Sequence, residues 1–126
     1  MLAADTNVLV RLLVRDHAAQ LAIAENFVKA GAWVSHLVLA ETLWVLDAVY
    51  ERSASQLMAA LDLLLAHESL VMQDADTVRA ALDHFRAKPA LGFSDCLVLE
   101  IARKAGHLPL GTFDRGLAKL EGVMRL

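Results

Sequence analysis

The chain has one cysteine, Cys96, in 126 residues, so it cannot close an intramolecular disulfide and has no ligand set for a Cys-based structural zinc site. A reducing, cytoplasmic setting is the expectation. Its five histidines include no pair at His-x-x-x-His spacing, which disfavours zinc held by imidazoles. No apolar run approaches the roughly 18 to 20 residues needed to span a bilayer. The opening residues reach Asp5 and Arg11 without a basic leader, so a soluble, untargeted protein with no membrane association is expected. A Gly-rich phosphate loop and a Gly-x-Ser-x-Gly elbow are also missing, which removes the P-loop and nucleophile-elbow readings.

Basic excess is lacking too. Twelve Lys and Arg against fifteen Asp and Glu give a formal net charge of -3, which excludes a protein that grips nucleic acid by charge alone. A metal site changes that balance. Two divalent cations on four carboxylates would move the charge from -3 to about +1, leaving Arg and Lys side chains to engage phosphates. With two prolines and six glycines, the chain shows no linker, repeat or low-complexity tract; only residues 88–92 have loop character. One domain over residues 1–126 is the expectation for this length. The 57% hydrophobic content and positive mean hydropathy imply a large core, with apolar surface to spare for an oligomeric partner.

The pattern of apolar residues alternates between short runs and helical spacing. Residues 1–4 read as a strand ending at Asp5, and 6–14 as a helix. A helix over 18–29 closed by Gly31, a strand over 32–34 and a helix over 36–50 capped by Ser35 follow. Further helices are predicted over 54–67, 74–86, 94–104 (ended by Gly106) and 114–120. Strands are predicted over 69–72 and 108–113, with an extended segment over 122–126. This alternation argues for an α/β protein: a three-layer α/β/α domain around a central, mainly parallel sheet of four or five strands.

Four carboxylates stand out against that background. Asp5 and Asp114 fall at the carboxyl ends of predicted strands, Asp95 in the first turn of its helix, and Glu41 within two turns of the start of its own. Glu41 shares a stripe with Leu37, Trp44, Val45 and Ala48, and Asp95 one with Val98, Leu99 and Ala102. Those stripes predict that both acids are carried inward, where a carboxylate must be paired or bind a metal. Ordinary roles compete with this reading. Asp5 and Asp114 equally suit helix capping, Asp95 the positive end of a helix dipole, and Glu41 an ion pair with Arg11 or Arg15. Asp62 also lies among apolar residues. Asp83, between Arg79 and Arg86, reads as a solvated ion-pairing face, and Cys96 as a buried thiol. Several carboxylates without Cys or His match a hard cation, Mg²⁺ or alternatively Mn²⁺.

The segments Asp5-Thr6-Asn7-Val8-Leu9-Val10-Arg11, Leu39-Ala40-Glu41-Thr42, Phe93-Ser94-Asp95-Cys96-Leu97 and Thr112-Phe113-Asp114-Arg115, taken in order, resemble the PIN-domain family, and within it VapC-type toxins. The resemblance implies a metal-dependent endoribonuclease whose catalytic and metal-holding residues are Asp5, Glu41, Asp95 and Asp114. It also implies a homodimer and an antitoxin protein that restrains the site. Asn7 and Thr112 match accompanying polar positions, and Arg11, Arg15 and Arg115 are the nearest candidates for RNA phosphate contacts. Gly116 departs from the pattern, replacing the acidic or bulky residue often found there. Two other readings compete. A Mg²⁺-dependent phosphatase would want a second Asp where Asn7 stands, and a degenerate PIN domain that only binds RNA or protein would not need all four acids.

Overall fold

The ends of the helices follow local chemistry written into the sequence. In the computed structural model, which describes residues Met1–Leu126, strand β1 (Leu2–Ala3) gives way at Asp5 to helix α1 (Thr6–Val14). Helix α2 (Ala18–Val28) starts where the His17 ring accepts from the Gln20 amide. Strand β2 (Ala32–Val34) leads to helix α3 (His36–Ala48), whose first turn is capped by Ser35 through a 3.1 Å bond from the Val38 amide. Helix α4 (Ala54–Ala66) opens on a reciprocal capping box between Ser53 and Gln56. Strand β3 (Leu70–Met72) is followed by helix α5 (Ala75–Ala87), a single 3₁₀ turn over Pro89–Leu91, and helix α6 (Phe93–Ala105). Gly106, at φ 82°, stops α6 in the left-handed region. Strands β4 (Leu110–Thr112) and β5 (Val123–Arg125) flank a second 3₁₀ turn, Leu117–Lys119. No helix is long and apolar enough to cross a membrane.

The chain divides into two compact units, Met1–Ala75 and Asp76–Leu126. In the first, β1, β2 and β3 form a parallel sheet in that order. Leu2 pairs with Ala32, and Ala32 with Leu70. Helix α1 packs on α2 and α3, and α4 on β3. Leu9, Val34, Leu39, Thr42 and Leu61 are fully buried there, each apolar side chain contributing about 1.5 to 3 kcal/mol of burial. In the second unit, β4 and β5 pair in parallel. Val78, Cys96 and Leu99 are fully buried, and the Phe85 and Phe93 rings meet edge to face at 6.3 Å.

The α/β class with parallel strands is present, but the strands do not form one ladder of four or five. They form a three-stranded sheet and a two-stranded pair. The strands are two or three residues long, and β1 offers only two because the chain turns into its cap at Asp5. The predicted helix over 114–120 is reduced to the 3₁₀ turn Leu117–Lys119, with the Asp114 side chain accepting from the amides of Gly116 and Leu117 ahead of it.

The orientation of α3 is also corrected. The predicted inward stripe faces water: Leu37 is 70% and Trp44 65% exposed, and Glu41 and Ala48 are exposed with them. The buried stripe is Leu39, Thr42, Leu43 and Leu46.

Candidate functional site

Asp5 sits where β1 ends, with extended backbone (φ -88°, ψ 168°), as the N-cap of α1. Its Oδ1 accepts from the Thr6 amide at 2.7 Å, so the capping role is real. It is incomplete, because an N-cap usually satisfies the second or third helical amide rather than the first. Thr6 faces inward, and its hydroxyl donates to Glu41 Oε2 at 2.7 Å across 35 positions of sequence. One threonine therefore orients two of the four acids: its amide holds Asp5 and its hydroxyl holds Glu41. The proposed ion pair of Glu41 with Arg11 or Arg15 does not form. Arg11 bonds Gln20 through Nε and reaches Asp16 at 3.4 Å and Tyr50 Oη at 3.5 Å. Arg15 pairs with Glu25 at 3.1 Å on the surface. Asn7 is exposed on the first turn of α1.

In the second unit, Asp114 follows β4. Its amide donates to Thr112 Oγ1 at 3.0 Å, and its Oδ1 accepts from the amides of Gly116 at 2.7 Å and Leu117 at 3.1 Å. Thr112 thus does more than fill a strand position. A methyl group added at Gly116 would come within 3.3 Å of Asp114 Oδ1 and 3.4 Å of Leu91 Cδ2. A side chain there would crowd the folded-back carboxylate slightly, by a few tenths of an ångström. Asp95, in the first turn of α6, has its carboxyl pKa pushed above the ordinary aspartate value, first by partial burial and then by the negative charge of Asp114. Arg115 is exposed beside Asp114.

All four acids are solvent-exposed, which overturns the expectation that apolar stripes carry them inward. The buried carboxylate is Glu100, which sequence reasoning missed. It shares an inward stripe of α6 with Cys96 and Leu97, the pattern wrongly assigned to Glu41. Its Oε1 lies 2.8 Å from His84 Nε2, and its Oε2 accepts from Arg103 Nε at 2.8 Å. Arg103 also donates to the Glu121 carbonyl at 2.8 Å. Thr6 was missed as well, although the quoted motif contains it. Arg79, expected beside Asp83, lies 3.3 Å from Asp76. Cys96 is buried, and its thiol pKa is pushed up to about 11 by burial and by the charges of Asp95 and Glu100.

What the acids share is a bonding pattern. Asp5, Glu41 and Asp114 each commit one carboxylate oxygen to a donor of the chain and leave the second open. Donors on one oxygen fix a carboxylate's direction for a ligand on the other. Nowhere do three or more His, Cys, Asp or Glu side chains gather into a group that could hold a metal ion. Mg²⁺ does not require one: it keeps several waters and takes one or two carboxylates, so oriented, water-accessible acids without nitrogen or sulfur ligands fit a hard cation in donor chemistry.

The oriented acids at strand ends and helix starts stand where parallel α/β folds place their ligands. The particular family follows from comparison. The chain belongs to the PIN domain family, whose model matches residues 3–123. No curated protein and no solved structure matches it. PIN domains are generally nuclease modules, typically dependent on divalent metal ions and acting on nucleic acid.

Proposed function

We propose that this chain is a divalent-cation-dependent endoribonuclease, the toxin of a type II toxin–antitoxin pair of the VapC kind. In this reading residues 1–126 act as one domain in the cytoplasm, as a homodimer restrained by a cognate antitoxin. The observation that carries the proposal is the pinning of Asp5 and Glu41 by the two donors of Thr6, which aims their remaining oxygens without neutralising them.

A bound Mg²⁺, or Mn²⁺, would supply a water acidic enough to attack phosphorus near neutral pH, and positive charge against the phosphoryl oxygens. In this reading Asp5, Glu41 and Asp95 would hold that cation, directly or through its waters. Asp114 would assist a second cation or orient water. Asn7 and Thr112 steady Asp5 and Asp114, and Thr112 is supported in this by its bond to the Asp114 amide. Arg11, Arg15 and Arg115 meet phosphates of the RNA. For Arg11 the contacts to Gln20 and Asp16 hold the guanidinium in place, and for Arg15 the exposed pair with Glu25 must open.

Purified Asp5→Ala and Asp95→Ala variants are expected to fold and to lose Mg²⁺-dependent cleavage of cellular RNA. Excess EDTA should abolish the wild-type activity. Undiminished cleavage by either variant, or cleavage persisting in EDTA, sinks the mechanism. A folded, Mn²⁺-binding wild type that cuts no RNA would make the domain a binding module instead.

A further inference from the structure

Beside Asp5 the first unit has a cleft of about 570 Å³ whose walls differ in chemistry. One wall is the start of α1, with Asp5, Asn7 and Arg11. The other is a single stripe of α2 at helical spacing, with Gln20, Ile23 and Phe27. Ile23 is 70% exposed and Phe27 is half-buried, so the apolar wall stands open to a ligand. The volume falls within the roughly 300 to 1,000 Å³ usual for small-molecule sites. Arg11 is tied by Nε to Gln20 Oε1, which spans the cleft and leaves the Gln20 amide hydrogens as donors. Asn7 adds a donor and an acceptor, and Asp5 closes one end with its unengaged oxygen.

We infer that this cleft is a nucleotide subsite: one unpaired base of the RNA lies against Phe27 and Ile23, its edge is read by Gln20 and Asn7, and its phosphate is drawn to Arg11. The inference rests on the proposed nuclease reading and gives it a source of base preference. Each component matches a need of that ligand. A base presents a flat π-face for an aromatic or aliphatic wall, hydrogen-bonding groups around its edge, and a phosphate for a guanidinium. A paired base offers no such access, because its faces are stacked on its neighbours and its major-groove edge lies in a deep, narrow groove. A polypeptide occupant fits less well. The facing wall sets a carboxylate, a carboxamide and a guanidinium around Ala3 and Val8, polar groups that match a nucleotide's edge and phosphate better than the apolar anchors of a polypeptide.

The test has two arms. In the first, the four 5′-nucleoside monophosphates are titrated into the ¹⁵N-labelled wild-type protein, which requires no cleavage. Amide signals of Asn7, Arg11, Gln20 and Phe27 should shift together. Affinity should fall roughly tenfold in Ile23→Ala or Phe27→Leu, the scale expected when base stacking is weakened. Both are conservative changes, the first at an exposed position and the second at a half-buried one. In the second arm, the cut ends produced from a random single-stranded RNA pool are sequenced. Wild-type ends should favour one base next to the cut, and Gln20→Ala should flatten that preference severalfold. If the wild type cuts RNA but no nucleotide moves the cleft signals and the variants keep the wild-type preference, the subsite is refuted and the nuclease reading stands. If nucleotides bind in the cleft but no RNA is cut, the nuclease reading fails alone. Cleft signals that respond to a co-purified protein and to no nucleotide would overturn the subsite in favour of a protein interface.

Discussion

Replacing Glu100 by alanine should destabilise the protein more than any change at the four candidate acids. The carboxylate is 8% exposed and receives two contacts of 2.8 Å, from His84 Nε2 and Arg103 Nε. Hydrogen bonds to a charged group contribute about 1.5 to 3 kcal/mol each, and breaking a buried pair costs about 3 to 5 kcal/mol when the orphaned partner stays buried. Here the partners have an escape. The side chains of His84 and Arg103 are 30% and 37% exposed, so both can turn to water, and the expected cost falls to about 2 to 3 kcal/mol. For a chain of this length that is a fall in Tm of roughly 10 °C. Thermal melts followed by circular dichroism, with urea titrations for the free energy, measure it. Glu100→Gln keeps an acceptor for Arg103 and should lose about half as much. A Glu100→Ala protein melting within about 2 °C of wild type would refute the reasoning, because two hydrogen bonds to a buried charge cannot vanish without trace.

Thr6→Val removes the hydroxyl held by Glu41 at 2.7 Å. It should cost about 1 to 2 kcal/mol and weaken Mn²⁺ binding, measured by calorimetry, by about 10- to 100-fold; unchanged affinity would show that Thr6 orients nothing. Asp95 binds its proton more tightly when folded than when unfolded, so its ionisation opposes folding as pH rises through that raised pKa. In EDTA, Asp95→Asn should therefore melt above wild type at pH 7, and the gap should close as pH drops below the ordinary aspartate value of 3.8; a gap that widens on acidification contradicts this. Cys96, buried and with its thiol pushed up to about 11, should react with a disulfide reagent at pH 8 at least about 100-fold more slowly than in denaturant. Rapid labelling of the native protein would place the thiol elsewhere.

Much of the local architecture was legible because it depends on residues close in sequence. Ser35 caps α3 and Gly106 ends α6 because an amide or a left-handed turn needs those side chains there. The inward face of α3 was not legible. In a helix this uniformly apolar, Leu37 and Trp44 repeat at the same seven-residue interval as Leu39 and Leu46, and spacing alone cannot choose between two such stripes. Burial chose the second. The same ambiguity hid Glu100, whose polar partners lie sixteen residues before it and three after. Strand pairing was illegible for another reason: two- and three-residue strands carry too little alternation to specify neighbours. The positions of the four acids were visible in the motifs. Thr6, which holds two of them, was not, because its role exists only once residue 41 folds back beside it.

The absence of a side chain at Gly116 leaves room for the Asp114 carboxylate two positions earlier. A bulkier residue in that place would press on the carboxylate, which would have to give by a few tenths of an ångström. Here the backbone amides of Gly116 and Leu117 hold that carboxylate, and a β-carbon would intrude on both Asp114 and Leu91. A chain that gains a side chain at 116 would therefore shift the Asp114 carboxylate slightly while keeping the same two amide donors.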